Sequence, residues 1–224
     1  MNSFIVTGAG SGLGREIALL LAKEGWHVLL AGRTLDKLLR MKEEIEASGG
    51  SATALELDVA EPESLPEKLA TALEGKTVRG LVNNAGIGHF GPFGKMDNAQ
   101  ISELFNANAL GTIFMTKAVL PYLEQAGSGQ VVNIISTAGL RGKVNEAVYA
   151  ASKFAVRGFT ESLQKEYEGS RITFSAVYMG GMDTPFWEGS THVADPSNLM
   201  PPLDVARKIV EGLGEKEIII ERKK

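Results

Sequence analysis

The stretch VYAASK places Tyr149 and Lys153 four residues apart. On a helix, that spacing puts both side chains on one face. A phenol with its ordinary pKa of about 10 takes little part in proton transfer at neutral pH. A nearby ammonium favours the phenolate and lowers that pKa. General acid–base catalysis depends on such matching of pKa to working pH. The spacing alone leaves two readings open: a proton donor with its tuning cation, or an ordinary solvated pair.

A second stretch, TGAGSGLG from Thr7 to Gly14, is built for close backbone approach. The G-x-G-x-x-G spacing fits in neither register, because Leu13 or Arg15 falls on the last glycine. The spacing that fits is T-G-x-x-x-G-x-G, through Gly8, Gly12 and Gly14. Glycines here allow a tight strand-to-helix turn and let a pyrophosphate approach the next helix N-terminus. Thr7, Ser11 and Leu13 belong to the same expected cradle. About 20 residues on, a dinucleotide binder that prefers NAD carries an acid for the ribose hydroxyl. Gly32 stands there instead, followed by Arg33 and Thr34. A small residue leaves room, and a guanidinium fork suits a 2′-phosphate. The expected cofactor is NADP(H) in preference to NAD(H).

These residues need elements to hold them. Strand patterns fall at 3–7, 27–32, 52–59, 78–86, 129–136, 171–178 and 217–221. Helical patterns fall at 12–25, 34–50, 61–75, 97–126 (one or two helices), 146–168 and 203–213. Mostly apolar strands alternating with helices indicate a parallel sheet covered on both faces. Right-handed crossovers make it doubly wound. The expected fold is α/β: a Rossmann-like, doubly wound, seven-stranded parallel sheet in a three-layer α/β/α single domain spanning 1–224. The longest irregular segment, 184–202, reads as a substrate loop or lid.

The totals narrow the chemistry. With 224 residues and 44% hydrophobic content, one sizeable core is affordable. A net charge of −4 argues against a nucleic-acid partner. There is no cysteine, so disulfides, thiolate metal sites and a thiol nucleophile are excluded, which suits a cytoplasmic location. His27, His89 and His192 are far apart, and no metal site is expected. No apolar run is long enough to span a bilayer, no signal peptide is visible, and the terminal ERKK reads as a solvated tail.

Taken together, the motifs are similar to those of the short-chain dehydrogenase/reductases over nearly the whole chain. The resemblance rests on TGAGSGLG, LDV at 57–59, NNAG at 83–86, Asn108 in NANALG, Ser136, and YAASK. Ser136 precedes Tyr149 by 13 residues, the usual separation in that family. The resemblance implies a catalytic tetrad of Asn108, Ser136, Tyr149 and Lys153, with Asn108 holding a water in a proton relay to Lys153. It implies that Asp58 and Val59 meet the adenine, that Asn84, Ala85 and Gly86 line a ribose, and that Gly180, Met182 and Thr184 sit by the nicotinamide. Lys153 is expected to bond the nicotinamide ribose. The resemblance also implies a homo-oligomer, dimer or tetramer. One departure is visible: Met179 replaces the proline usual after the sixth strand, and the loop there is expected to be looser for it.

The chemistry follows. Hydride transfer to a carbonyl leaves an alkoxide. Tyr149 would protonate it, and the Ser136 hydroxyl would orient the oxygen. Leu140, Val144, Phe186 and Trp187 flank the presumed substrate site beside Met182, with Phe90 and Phe93 after NNAG; the small-molecule substrate is a hydrophobic ketone or aldehyde, or the corresponding alcohol. His89 reads as an ordinary loop histidine, and Arg141 and Lys143 as solvated. The expected function is an NADP(H)-dependent carbonyl/alcohol oxidoreductase. The alternatives are a 3-oxoacyl-[acyl-carrier-protein] reductase-like enzyme and a non-catalytic NADP-sensing protein.

Overall fold

The computed structural model describes residues 1–221; the final three residues of the ERKK tail lie outside the described residues. Seven strands form one parallel sheet: β1 (Asn2–Thr7), β2 (His27–Gly32), β3 (Ser51–Glu56), β4 (Thr77–Asn83), β5 (Gly129–Ile134), β6 (Ile172–Met179) and β7 (Glu217–Ile220). Their order across the sheet is β3-β2-β1-β4-β5-β6-β7. The chain leaves β1 in one direction and returns through β4 on the other side. The C-terminal ends of the strands therefore part between β1 and β4, where open parallel sheets bind ligands.

Two apolar layers cover the sheet. On one face, α1 (Gly12–Lys23), α2 (Leu35–Ala47) and α7 (Pro202–Glu211) bury Ile17, Leu21, Met41 and Ile209 against Val6, Leu30 and Val177. On the other, α3 (Leu65–Ala72), α5 (Gly111–Ala126) and α6 (Ala147–Glu166) bury Leu69, Val119 and Leu163 against Ile5, Leu81 and Val131. Strands buried on both faces explain the unbroken apolar runs in the sequence.

The 97–126 stretch is one continuous path with a wide turn in it. The helix α4 (Asn98–Phe105) starts with a capping box, Asp97 and Gln100 satisfying each other's backbone amides. It passes into a π-helical turn, Asn106–Leu110, and then into α5. Such turns often accompany functional sites.

Between β1 and β4, Gly80 lies against the ring of Phe4, which packs edge-on to Trp26 with centroids 4.8 Å apart. A Cβ at position 80 would overlap that fully buried ring. Replacing Gly80→Ala is expected to cost about 1–3 kcal/mol, the usual penalty for overpacking, read as a lower urea midpoint. Adding Phe4→Leu is expected to recover part of the loss.

Candidate active site

The glycine turn and the end of β4 are tied together first. The Thr7 hydroxyl donates to the Val82 carbonyl at 3.3 Å and accepts the amides of Asn84 and Ala85, both at 3.0 Å. Asn84 Nδ2 donates back to the Thr7 carbonyl at 2.9 Å. Thr7 thus acts from beneath, as a buried strut. Gly14 is also structural, since a Cβ there would overlap the Gly8 carbonyl. Gly8 and Gly12 have φ of +66° and +54°, which L side chains adopt only with strain. At Gly12 a Cβ would also come within 3.2 Å of Thr184. The first turn of α1 carries no acidic residue, and Ser11 provides no side-chain cap. Its amides are therefore left for an anion.

Above this turn lies a cleft of about 570 Å³. One end is lined by Gly8, Ser11, Gly12, Leu13, Arg33, Thr34, Asp58 and Val59. Arg33 is exposed and makes no side-chain hydrogen bond or ion pair among the described residues. Lys37, in the first turn of α2, lines the same end; a second cation so close to Arg33 in the chain is a signal the sequence carries. The middle is lined by Asn84, Ala85 and Gly86, and the far end by Ser136, Tyr149, Lys153, Gly180, Met182, Phe186 and Trp187, while Thr184 lines the cleft beside Gly12.

Leu140 and Val144 stand elsewhere. They fall outside the cleft, 39% and 83% exposed, because the 137–146 loop turns them outward after a short 3₁₀ turn, Thr137–Gly139. Phe93 is exposed as well. The cleft instead takes Glu146 and Lys143 from that loop. His89 lines it too, with Nε2 2.8 Å from Glu103.

Ser136 follows the end of β5 with φ +85°. A non-glycine residue held there stores about 1–3 kcal/mol of strain, a pattern concentrated at functional sites. Its hydroxyl accepts the Ala138 amide at 3.2 Å. Tyr149 and Lys153 share the inner face of α6, both buried. Lys153 Nζ donates to the Ile134 carbonyl at 3.0 Å and lies 5.7 Å from the Tyr149 ring centroid. Among the described residues no carboxylate pairs with it, and burial pushes its pKa down to about 8. The Tyr149 phenol departs from the sequence expectation. Burial pushes it well above its ordinary value, with a hydrogen bond to Ser136 acting the other way and the charge of Glu146 adding to the rise. The Lys153 ammonium faces the Ile134 carbonyl, so desolvation prevails over any lowering by the lysine.

Asn108 lies in the π-helical turn, outside the cleft lining. Its Oδ1 accepts the Ile87 amide at 2.8 Å, and Nδ2 donates to the Ile87 carbonyl at 3.0 Å and the Ser152 hydroxyl at 3.2 Å. It straps the loop after β4 to α6. Below it runs a buried polar ladder. The Thr112 hydroxyl donates to the Asn108 carbonyl at 2.9 Å, and the Thr116 hydroxyl to the Thr112 carbonyl at 2.7 Å. Asn83 Nδ2 donates to Thr116 at 2.9 Å and to Asn133 Oδ1 at 2.8 Å, and Asn133 Nδ2 donates to Thr160 on α6 at 2.8 Å.

Met179, at the position where the resemblance implies a proline, is the last residue of β6 and pairs with Ile220; contacts further along hold the loop that follows. Met182 bridges to Met200, the Asp183 amide donates to the Met200 carbonyl at 3.0 Å, and the Trp187 indole donates to the Met182 carbonyl at 2.9 Å. The 184–202 segment carries short 3₁₀ turns at Pro185–Trp187 and Pro196–Asn198. His192 Nε2 lies 3.0 Å from Oε1 of buried Glu146. Nothing in the spacing of these two residues announces that contact.

Comparison with known proteins agrees with this geometry. The family model described as short chain dehydrogenase matches residues 2–194. The chain is 32% identical to the ketoacyl reductase HetN of Nostoc sp., over 99% of this chain and 79% of that protein. The fold superposes on the actinorhodin polyketide ketoreductase with NADPH at a TM-score of 0.89 and 28% identity, covering 98% and 95% of the two chains. It superposes on a short-chain dehydrogenase/reductase from Burkholderia phymatum in complex with NAD at 0.88 and 25% identity, covering 97% and 88%. With the doubly wound sheet, the glycine turn and the Ser136–Tyr149–Lys153 cluster all in place, the chain belongs to the short-chain dehydrogenase/reductase family of oxidoreductases.

Proposed function

We propose that this protein is an NADP(H)-dependent oxidoreductase that interconverts a carbonyl and an alcohol, with Tyr149 as the general acid–base. The observation that carries the reading is the single cleft, with a glycine cradle and a free guanidinium at one end and Ser136, Tyr149 and Lys153 at the other. The residues fit a dinucleotide. The left-handed glycines bring backbone to the cleft, the first turn of α1 offers uncapped amides to a pyrophosphate, and Asp58 and Val59 line the cleft where an adenine would lie. Gly32 leaves room beside Arg33, Thr34 and Lys37, a charge set that suits a 2′-phosphate. Relatives of this fold are known with NADPH and with NAD, so the preference rests on Arg33 and its neighbours.

A bound nicotinamide dinucleotide supplies a hydride to a carbonyl carbon or accepts one from a carbinol. This chain's residues handle the oxygen. The Ser136 hydroxyl orients it, and Tyr149 gives it a proton as negative charge develops. With its pKa raised by burial, Tyr149 holds its proton at neutral pH, available as a donor but a weaker acid than an ordinary phenol. The Lys153 ammonium beside it offsets charge left on the phenol. Asn108 acts as a strap that fixes α6 in place. A 3-oxoacyl thioester is a second substrate reading, favoured by the ketoacyl and polyketide reductases among the similar proteins.

Three outcomes test this reading. Tyr149→Phe is expected to cut NADPH-dependent carbonyl reduction by roughly a hundred- to ten-thousandfold while NADPH binding, followed by fluorescence titration, stays within about twofold; undiminished turnover would end the mechanism. Arg33→Asp is expected to shift the NADPH/NADH ratio of kcat/KM by roughly ten- to a hundredfold towards NADH, the range of a charge-assisted hydrogen bond; an unchanged ratio removes Arg33 from the phosphate site. Lys153→Met is expected to abolish turnover yet raise stability at pH 7. The lysine pKa is lowered on folding, so the folded state disfavours the charge. That cost, roughly 3 kcal/mol from the fall to about 8, is complete below pH 8 and gone above the unfolded value of 10.5. Thermal melts of both forms across pH 7–11 read the difference.

A further inference from the structure

The rings around Tyr149 are organised about one side chain. Phe90 packs edge-on to Tyr149 with centroids 5.3 Å apart, while Trp187 and His192 lie nearly parallel to Phe90 at 5.3 Å and 4.6 Å. Phe186 contacts Tyr149 and Phe90, both at 6.0 Å. Gly88 makes room, since a Cβ there would come within 2.5 Å of Phe90 and 2.7 Å of Phe186. The wall is anchored at one corner. His192 is bonded to Glu146, three residues before Tyr149 and only 7% exposed. Lys143 Nζ, 3.9 Å away, is the other charged group facing Glu146. The loop that carries Trp187 and His192 is thus pinned to the start of the helix that carries the phenol.

Phe90 and Phe186, the two rings packed on the phenol, line the same cleft, so the carbon groups flanking a carbonyl presented to Tyr149 have aromatic surface beside them. Aromatic pairs gain roughly two- to tenfold each over the burial of equal saturated area. We propose that the site takes aryl ketones and aldehydes, with Phe90 and Phe186 as the side chains that determine specificity. Glu146 is a positioning residue: it fixes His192 and, through it, the stacked face of Phe90. The assignment rests on the carbonyl-reductase reading above and narrows its substrate class.

The test uses the full chain with NADPH and three probes: acetophenone, cyclohexyl methyl ketone, and acetoacetyl-coenzyme A. Acetophenone is expected to have the highest kcat/KM, with an aryl-to-cyclohexyl ratio that falls by about tenfold in Phe90→Leu. Reading the change in ratio between the two proteins removes the intrinsic reactivities of the ketones. Glu146→Ala is expected to raise KM for acetophenone several-fold, and Glu146→Gln, which can still bond the imidazole, to restore it; the readout is KM, because loss of the Glu146 charge acts on the Tyr149 phenol in both variants. A ratio unmoved by Phe90→Leu, or preference for the thioester, overturns the aryl assignment and leaves the carbonyl-reductase reading standing. An unchanged KM in Glu146→Ala, or no rescue by glutamine, overturns the positioning role. Failure of every probe while NADPH still binds overturns both readings.

Discussion

The whole site hangs on a ladder of amide and hydroxyl groups buried beneath it. Asn83 on β4 and Asn133 on β5 exchange a hydrogen bond across the sheet face, and each reaches a threonine on the helix above it, Thr116 on α5 and Thr160 on α6. Apolar packing alone lets helices slide, because dispersion contacts are weakly directional. Amide–hydroxyl bonds in a dry interior are directional and costly to break. They set the height of α6 over β5, and so the distance between Tyr149 and Ser136. One acceptor is left over: the Asn83 Oδ1 is buried without a partner among the described residues, a place suited to an internal water.

Stability is surrendered above that ladder. Ser136 occupies a backbone region that suits glycine, and Lys153 is an ammonium sealed under the sheet edge with a single carbonyl for company. Neither helps the fold. Both are tolerated because the two apolar layers beneath are continuous and tightly filled. The concentration of cost at one end of one cleft is the physical mark of a working site.

The parts of the molecule written in local pattern were legible in the sequence. The alternation of strand and helix follows from apolar periodicity, and the glycine turn, Gly32-Arg33 and the Tyr149–Lys153 pair follow from spacing along single elements. The illegible parts are relations between elements. Glu146 and His192 meet across 46 residues, and no local pattern encodes that encounter. Leu140 and Val144 have the right chemistry for a pocket, yet a loop of irregular backbone decides which way they face. The phenol's pKa eluded the spacing argument for the same reason, since burial is a property of the assembled cleft. Asn108 was legible as a special residue within a helix, while its bonds to Ile87 and Ser152 depended on two other segments.

The π-helical turn at Asn106–Leu110 works as a phase shift. Each residue advances an α-helix by about 100°, so one extra residue in a turn re-aims everything that follows. With it, Asn108 addresses α6 and the loop after β4, while Thr116, two turns on, still addresses the sheet. A chain one residue shorter here would make a more regular helix and a worse protein: the helix would point its amide or its hydroxyl at the right neighbour, but not both. Irregularity at this point is therefore information, a single inserted residue that lets one helix serve two partners on different bearings.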